Sequence, residues 1–198
     1  MQRMNLLNVA VSTHDLEGDR VRLNCGCGSV QPDGWVNADR REYGQDIILD
    51  VRDGHACEPY AGMFDVIVAN HLLSCFNHHE LPGILENIRS MLKPGGVLRV
   101  LVPDMRAAAR AYLCGDTNWF PQGDDMPSVS ERYCTYVTWF GESPSIFDAS
   151  YLGNRLYAGG FTELAGPLQC GQTVLGPKGS GELDDRCRMS LIMEARTA

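Results

Sequence analysis

The chain has 198 residues, of which 44% are hydrophobic and 21% charged, a balance typical of one globular domain with a sizeable core. Its formal net charge of -8 argues against a general nucleic-acid-binding protein, which needs a basic surface. No run approaches the ~18 apolar residues of a membrane span, so we expect no membrane partner. Residues 1–14 are a poor secretory signal, because they carry one cation and only a short apolar patch.

The first predicted element is a strand over residues 21–25, which leads into the Gly-x-Gly sequence of Gly26 and Gly28. Glycines at the end of a strand let the backbone approach a ligand where a Cβ atom would collide. The alternative interpretation is an ordinary turn, since the chain contains 21 glycines.

The second predicted strand, residues 35–39, ends in Asp39, whose carboxylate can accept two hydrogen bonds from a ribose diol. Only residues 29–34 separate this strand from Gly28, so no full helix fits between them. The third glycine of the dinucleotide-binding fingerprint is also missing. These features argue against NAD and favour a ligand with a ribose but no pyrophosphate.

Further strands are predicted over residues 46–50, 64–69 and 97–102. Residues 77–92 predict a helix, because apolar residues recur at three- and four-residue spacings on one face. The Lys-Pro-Gly-Gly sequence that follows should end this helix and turn the chain. Asp104 then has the properties of an N-cap for a helix rich in alanine and arginine.

Residues 114–150 crowd aromatic side chains together with prolines and acidic residues, among them Asp124. This insertion is either a loop-rich cover with its own aromatic core or a lid over the substrate pocket, and both can hold together. No linker or repeat separates it, so residues 1–198 are expected to form one domain. Residues 168–175 and 189–195 are predicted to pair as a long hairpin around a tip rich in glycine.

Eight cysteines are scattered along the chain, and none forms a Cys-x-x-Cys pair. This scatter fits reduced, mostly buried thiols of a cytoplasmic protein better than a disulfide framework. The neighbouring histidines His78 and His79 do not predict a metal site, because adjacent histidines seldom point at one ion and no second ligand pair has zinc spacing. We expect a cytoplasmic protein without a metal.

The order of elements predicts an α/β fold with a mostly parallel sheet covered by helices. Ligands of such sheets bind beyond the carboxyl ends of the strands. Glycine or polar residues stand at four of these ends, namely residues 24–28, Asp39, Asp50 and residues 70–71. This convergence carries more weight than any single motif.

The same segments resemble, in order, the motifs of class I S-adenosylmethionine-dependent methyltransferases. They are Leu-Asn-Cys-Gly-Cys-Gly at 23–28, Gly-Trp-Val-Asn-Ala-Asp at 34–39, Asp-Ile-Ile-Leu-Asp at 46–50, Phe-Asp-Val-Ile-Val-Ala-Asn-His at 64–71 and Leu-Lys-Pro-Gly-Gly-Val-Leu-Arg-Val at 92–100. The sequence is most similar to a small subgroup whose second strand follows the glycine loop almost directly. The resemblance covers residues 21–104 and the last strand, but not the insertion at 114–150.

This resemblance implies a doubly wound, mostly parallel, seven-stranded Rossmann-like sheet whose last strand runs antiparallel between the fifth and sixth. We expect the hairpin of residues 168–195 to supply the last two strands. The resemblance also implies that S-adenosylmethionine is the cofactor and that the reaction is a methyl transfer.

Cofactor-binding roles follow from the resemblance, residue by residue. Gly26, Cys27 and Gly28 would pass under the methionine part of the cofactor. Asn24 stands where the family usually has an acid, and its side-chain carbonyl could still bridge to the ammonium group. Asp39 would hold the ribose hydroxyls.

The remaining roles lie at the next strand ends. Asp50, with the amide of Val51, would meet the adenine edge, and Asp53 could compete for that role. Asn70 would offer its backbone to the amino-acid end of the cofactor. His71 would face the methyl group as a candidate general base, because imidazole can take a proton near neutral pH. The alternative for His71 is a hydrogen-bonded residue in the wall of the pocket.

The sequence therefore predicts a methyltransferase that acts on a small-molecule or saccharide acceptor. Three alternatives stay open at this point. They are an aminopropyl transferase that uses a related cofactor, a non-catalytic module that binds an adenosyl ligand or a partner, and an NAD oxidoreductase, which the missing phosphate-binding helix disfavours.

Overall fold

A seven-stranded sheet forms the centre of the protein in a computed structural model, which describes residues 20–123 and 125–198. The predicted poor secretory signal at 1–14 and Asp124 of the insertion lie outside the described residues. The strands are β1 (Arg22–Cys25), β2 (Val36–Asp39), β3 (Ile47–Ile48), β4 (Phe64–Asn70), β5 (Leu92–Pro103), β6 (Glu163–Ala165) and β7 (Ser190–Arg196). The helices are α1 (Gly54–Cys57), α2 (Leu81–Met91), α3 (Met105–Leu113), α4 (Val129–Thr138) and α5 (Ala149–Ala158).

The strand order in the sheet is β3-β2-β1-β4-β5-β7-β6. Neighbouring strands from β3 to β5 are parallel, whereas β7 is antiparallel to both β5 and β6. This arrangement confirms the predicted α/β fold class with an antiparallel last strand between the fifth and sixth. The carboxyl ends of β1, β2 and β4 lie side by side at one edge of the sheet, as the prediction requires.

Two predicted boundaries around α2 differ from the structure. The helix begins at Leu81 and not at Asn77, because the Glu80 side chain accepts a hydrogen bond from the Asn77 amide at 2.9 Å and holds the preceding residues in a turn. The Lys-Pro-Gly-Gly sequence belongs to the start of β5, where the amide of Thr197 donates to the carbonyl of Gly96 at 3.0 Å. Pairing with the end of the chain therefore extends this strand backwards. Asp104 caps α3 as predicted, accepting from the Ala107 amide at 3.0 Å.

The predicted hairpin between residues 168–175 and the last strand is wrong. The partner of β7 is β6, a strand of three residues that lies earlier in the chain and ends before Pro167, which lacks a backbone donor. Residues 173–176 turn instead around the buried carboxylate of Glu194, which accepts hydrogen bonds from the amides of Val174 and Leu175 at 2.9 and 2.7 Å. The Glu194 side chain thus accepts the backbone hydrogen bonds that a neighbouring strand would otherwise have accepted.

The two faces of the sheet are covered in different ways. On one face α2 and α5 enclose the main hydrophobic core, in which Leu85, Ile88 and Leu156 are fully buried. On the other face a smaller cluster joins β4, β5 and β7 to Trp35 and to Leu168 and Leu183 of the β6–β7 connection (residues 166–189). Residues 26–35, between β1 and β2, contain no helix, as the sequence predicted. The β6–β7 connection therefore covers part of the face beside this short link.

The structure corrects one expectation about the cysteines. Cys170 and Cys187 form a disulfide that ties together the two ends of the β6–β7 connection, whereas the scatter of cysteines in the sequence predicted reduced thiols. Sequence scatter could not reveal this pair, because the fold of the connection places the two Cα atoms 5.5 Å apart. Of the other cysteines, Cys25, Cys27 and Cys57 are buried and three are exposed.

The insertion forms a second, aromatic cluster beside α3. Phe120 and Tyr136 are 1% exposed, and the Tyr136 hydroxyl donates to the carbonyl of Met189. Burial raises the pKa of Tyr136 well above its usual value, so this hydroxyl stays protonated. Of the helices in the described part of the chain, none has the length and apolar character needed to cross a bilayer.

Candidate functional site

A cleft of about 370 Å³ opens at the carboxyl ends of β1, β2 and β4. Most of the predicted site residues line it, namely Gly26, Asp39, Asp50, Val51, Asn70 and His71. The parallel pairing of the strands brings these residues together although they are up to 45 positions apart in the sequence, from Gly26 to His71. Asn24, Cys27 and Gly28 are not among its lining residues.

The glycine loop after β1 is held against β2 by its own backbone. The amides of Gly26 and Cys27 both donate to the carbonyl of Ala38, at 2.8 and 3.1 Å. Gly26 has a φ of +75°, and a Cβ atom there would lie 2.8 Å from Cδ1 of Leu72. Glycine is therefore required at this position both for the backbone conformation and for space.

Asn24 and Cys27 lie in or beside this loop but do not line the cleft. The side-chain amide of Asn24 donates to the carbonyl of Val30 at 2.8 Å and to Oδ1 of Asn37 at 3.0 Å. Cys27 is 6% exposed, and burial raises its pKa to about 11, so the thiol is neutral. Their predicted direct contacts with the cofactor stay predictions.

Asp39 stands at the end of β2 with part of its hydrogen-bonding capacity unused. Its Oδ2 accepts from the amide of Gly28 at 3.0 Å, and its Oδ1 accepts from the amide of Arg41 at 2.9 Å. A carboxylate accepts about four hydrogen bonds, which leaves about two for other donors. Asp39 therefore fixes the glycine loop and keeps free acceptor capacity at the cleft, and its predicted contact with a ribose stays a prediction.

Asp50 lies in the cleft, but Arg52 occupies much of its carboxylate. The Arg52 Nε donates to Asp50 Oδ1 at 2.9 Å, and this guanidinium lowers the pKa of Asp50. Asp53, the predicted competitor, instead caps α1 by accepting from the amide of His55 at 2.9 Å. Val51 is 4% exposed at the cleft. Location in the cleft favours Asp50 over Asp53 for the predicted contact with adenine.

Asn70 and His71 form the other end of the cleft, where β4 ends. The Asn70 side chain donates to the carbonyl of Leu183 at 2.7 Å, while its buried Oδ1 has no hydrogen-bond partner among residues 20–123 and 125–198. His71 has a φ of +54°, which is uncommon outside glycine, and its side chain is 15% exposed. Its Nε2 lies 3.0 Å from Oγ of Ser190 and 3.5 Å from Oδ1 of Asp185.

The surroundings of His71 shift its titration. Burial lowers the pKa of His71 to about 4, although the carboxylate of Asp185 acts in the opposite direction and Arg186 adds to the lowering. The imidazole is therefore neutral at neutral pH and has a lone pair available. The ring also stacks on Trp139, with centroids 6.2 Å apart and planes at 20°.

Backbone strain is concentrated around this end of the cleft. Within the described residues, the non-glycine residues with positive φ are His71, Trp139, Phe140 and Arg186. Arg186 lies over the Trp139 ring at 4.7 Å, and Phe140 packs edge-on against the same ring. Such conformations each cost about 1–3 kcal/mol and tend to occur at functional sites.

Several residues of the site were not predicted from the sequence. Arg40 and Arg41 line the cleft directly after Asp39, and their position after a strand end was a usable signal. Glu142 of the insertion also lines the cleft, and Asp185 of the β6–β7 connection contacts His71. No periodicity or motif marks these last two residues, because the tertiary fold of long connections brings them to the site.

Comparisons with known proteins agree with this geometry. The sequence model of a family described as "Methyltransferase domain" matches residues 23–164, which is more than half of the chain. The chain belongs to this methyltransferase family. This membership confirms the resemblance to S-adenosylmethionine-dependent methyltransferases that was found in the sequence.

Individual relatives are distant. A highly reducing polyketide synthase (sor1) of Hypocrea jecorina (strain QM6a) is 40% identical over 52 residues, which are 26% of this chain and 2% of the synthase. The chain thus spans only a small fraction of that relative. A Thermotoga maritima protein described as an S-adenosylmethionine-dependent methyltransferase, possibly a histamine N-methyltransferase, has a TM-score of 0.57 at 14% identity, covering 92% of this chain and 84% of its own.

A second solved structure shares the fold. The 1,6-didemethyltoxoflavin-N1-methyltransferase of Burkholderia thailandensis, solved with its substrate and S-adenosylhomocysteine, has a TM-score of 0.52. It is 17% identical, and the match covers 90% of this chain and 71% of that protein. At these identities both structures show a shared fold and nothing finer.

The residues of the cleft fit the cofactor of this class. Three features suit a polar ligand with a ribose and an ammonium group: a glycine whose Cβ position is blocked, a carboxylate with free acceptor capacity, and a buried Oδ1 of Asn70 that no described residue hydrogen-bonds. Among the described residues, no cluster of three or more His, Cys, Asp or Glu side chains is placed to hold a metal ion.

Proposed function

We propose that the enzyme methylates a hydroxyl or amino group of a small-molecule acceptor, with saccharide hydroxyls as the first class to examine. The observation that carries this proposal is the continuity of one cleft from Asp39 to His71. A ribose held at one end and a proton acceptor at the other are what methyl transfer to a weakly acidic group requires.

The proposed cofactor contacts follow the lining of the cleft. The loop at Gly26 passes beneath the amino-acid part, Asp39 accepts hydrogen bonds from the ribose hydroxyls, and Asp50 with Val51 borders the adenine. Bound in this way, the cofactor supplies an electrophilic methyl group on a sulfonium that leaves as a neutral thioether. The enzyme's own contribution is then to align the acceptor and to take its proton.

The acceptor side supports a polar substrate. Glu142 of the insertion places a carboxylate in the lining of the cleft. Saccharide hydroxyls donate hydrogen bonds to carboxylates. The polyamine substrate of an aminopropyl transferase also needs carboxylates, so the two acceptors must be compared directly.

Calorimetry on the purified enzyme tests the cofactor assignment. We expect S-adenosylmethionine and S-adenosylhomocysteine to bind with micromolar or tighter dissociation constants, and NAD not to bind. Preferential binding of decarboxylated S-adenosylmethionine would instead indicate aminopropyl transfer, and silence towards all four compounds would contradict the proposal.

A methyl-incorporation assay tests the acceptor. The enzyme is incubated with methyl-labelled S-adenosylmethionine and separate pools of saccharides, phenols and amines. Labelling confined to the saccharide pool supports the finer proposal, whereas labelling confined to phenols or amines rejects it and leaves the general proposal standing.

A further inference from the structure

The orientation of His71 is determined by groups from the far end of the chain. Ser190 begins β7, and Asp185 precedes it in the β6–β7 connection. The Ser190 hydroxyl lies 3.1 Å from the carbonyl of Arg186 and 3.4 Å from the carbonyl of Asp185. A hydroxyl has one proton and carbonyls only accept, so this proton points to a carbonyl and Oγ presents a lone pair to His71.

The second neighbour of Nε2 is also an acceptor. Oδ1 of Asp185 is buried, has no hydrogen-bond partner within the described residues, and lies 3.5 Å from Nε2 of His71. A buried carboxylate oxygen in this state is costly unless a donor faces it. An ionised carboxylate can only accept, so Asp185 favours a proton on Nε2, and the Ser190 hydroxyl is compatible with that arrangement because it can accept from Nε2 while donating to a carbonyl.

From this geometry we propose that Asp185 and Ser190 are positioning residues that hold His71 as the Nε2–H tautomer and leave Nδ1 as the proton acceptor of the reaction. This proposal depends on the proposed function only because it takes methyl transfer as the reaction. Nδ1 makes no hydrogen bond within the described residues, and His71 lines the cleft. In the step assigned to His71, Nδ1 takes the proton of the acceptor hydroxyl or amine. The acceptor atom bonds to the methyl carbon at the same time. The electron pair of the broken carbon–sulfur bond stays on sulfur.

The other groups around His71 are compatible with this role. Asp185 and Arg186 face it from the β6–β7 connection, and the thiol of Cys75 donates to its carbonyl at 3.4 Å from the turn after β4. Glu142 lines the same cleft from the insertion. When Nδ1 accepts a proton, the ring becomes a cation, and the carboxylate of Asp185 stabilises that cation against the effect of burial and of Arg186.

Nitrogen NMR of the imidazole tests the proposal without any acceptor. The enzyme, labelled with 15N and saturated with S-adenosylhomocysteine, is titrated, and two-bond correlations report which ring nitrogen carries the proton. The His71 signals are those missing in His71→Gln. We expect a single Nε2–H tautomer in the wild type and, in Asp185→Asn, a mixture of tautomers together with a lower His71 pKa than in the wild type.

Matched variants separate positioning from folding. Glu182→Gln removes an exposed charge from the same connection and should leave both the tautomer and the pKa of His71 unchanged. Ser190→Ala removes the other acceptor and gives a second reading if Asp185→Asn does not fold. With an acceptor from the incorporation assay, Asp185→Asn should lower turnover about tenfold with little change in cofactor affinity.

Two results would overturn the proposal: an Nδ1–H tautomer in the wild type, or a tautomer and pKa in both Asp185→Asn and Ser190→Ala that match the wild type. The proposed function can fail separately. A fixed Nε2–H tautomer in an enzyme that transfers no methyl group would reject the assigned reaction and leave the positioning of His71 intact.

Discussion

At the residue scale, Asp39 combines a structural role and a binding role. It holds the amide of Gly28 and retains acceptor capacity toward the cleft. Replacing it with Ala should weaken binding of S-adenosylhomocysteine by about 100-fold or more, because hydrogen bonds to charged groups contribute roughly 1.5–3 kcal/mol each. Isothermal calorimetry measures this change.

The control for Asp39 is a nearby carboxylate outside the cleft. Asp33 is exposed in the link between β1 and β2, so Asp33→Ala removes the same charge without removing a lining residue. Its affinity should stay within about threefold of the wild type. Asp39→Ala with wild-type affinity would show that Asp39 does not bind the ribose.

His71 should affect turnover far more than binding. We expect His71→Ala to lower kcat by about 100-fold, the lower range of general-base effects, with the dissociation constant of S-adenosylhomocysteine nearly unchanged. Burial lowers the pKa of His71 to about 4, so wild-type activity should fall only when the pH drops through about 4 and protonates the ring. His78→Ala, at an exposed histidine, is the control, and equal losses of kcat and affinity in His71→Ala would indicate a packing role.

The sequence could reveal some of these residues and not others. Asp39, Asp50 and Asn70 were found because carboxyl ends of parallel strands share one edge of a sheet. Asp185 and Glu142 could not be found, because they reach the cleft through long connections whose path depends on tertiary packing.

At the element scale, the glycine loop after β1 offers a matched pair of substitutions. Gly26 and Gly28 both have positive φ, so an alanine at either site is strained by about 1–2 kcal/mol. Only at Gly26 does the new Cβ also meet Leu72, at 2.8 Å, whereas at Gly28 no atom of the other described residues, apart from the two chain neighbours, lies within 4 Å. Gly26→Ala should therefore lower both the melting temperature and the affinity for S-adenosylhomocysteine more than Gly28→Ala does. Equal effects in calorimetry and thermal melting would show that strain alone matters.

Most strands that were predicted correctly have continuous or alternating apolar residues and lie in the parallel part of the sheet, and the antiparallel β7 was predicted at residues 189–195. β4 is an example, since Val66, Ile67 and Val68 are fully buried. β6 escaped prediction because it has only three residues and its pairing with β7 is long-range. Residues 168–175 resemble a strand in composition, but the buried carboxylate of Glu194 draws their amides into a turn.

At the scale of the whole molecule, an ion cluster holds the β6–β7 connection on the sheet. Arg99 and Glu194 are both 0% exposed, with Arg99 Nη1 and Glu194 Oε1 at 2.8 Å, and Arg99 Nε donates to Asp184 at 2.8 Å. Replacing Glu194 with Gln leaves Arg99 paired with Asp184, but it puts an amide NH2 group in place of one carboxylate oxygen, so some of the donors that surround Glu194 lose their acceptor. Glu194→Gln should therefore lower the free energy of unfolding at pH 7 by about 2–5 kcal/mol, measured by urea denaturation, because each buried donor without an acceptor costs roughly 1–3 kcal/mol.

The same strand supplies an exposed control. Arg196 and Glu163 form an ion pair at 2.6 Å with side chains 36% and 52% exposed, so Glu163→Gln should cost less than about 1 kcal/mol. A similar loss in both variants would contradict the importance of burial.

The pH dependence of stability follows from the same carboxylate. Burial alone would raise the pKa of Glu194, but hydrogen bonds from Thr173 and the amides of residues 174–176 outweigh it and lower this pKa from its ordinary value of 4.5. Because the folded pKa lies below the unfolded one, the stabilisation is complete above about pH 4.5 and is lost as the pH falls below it. Urea midpoints between pH 3 and 7 should fall with pH less steeply in Glu194→Gln than in the wild type.

The fold class could be predicted from the sequence because successive elements alternate and their apolar patterns are regular. The covering of the second sheet face could not be predicted, because it depends on a contact between Trp35 and the distant residues Leu168 and Leu183. The disulfide and the Asp184 carboxylate of the ion cluster belong to the same long connection, whose path no local pattern specifies.

The β6–β7 connection has a consequence for engineering the enzyme. One chain segment packs on the sheet through Leu168 and Leu183 and also carries Asp185 to His71. Exchanging this segment for the corresponding segment of another family member would change both the thermal stability and the catalytic rate at once. Directed evolution of new acceptor preferences should therefore retain residues 166–189 and vary exposed residues of the cleft lining, such as Glu142 of the insertion.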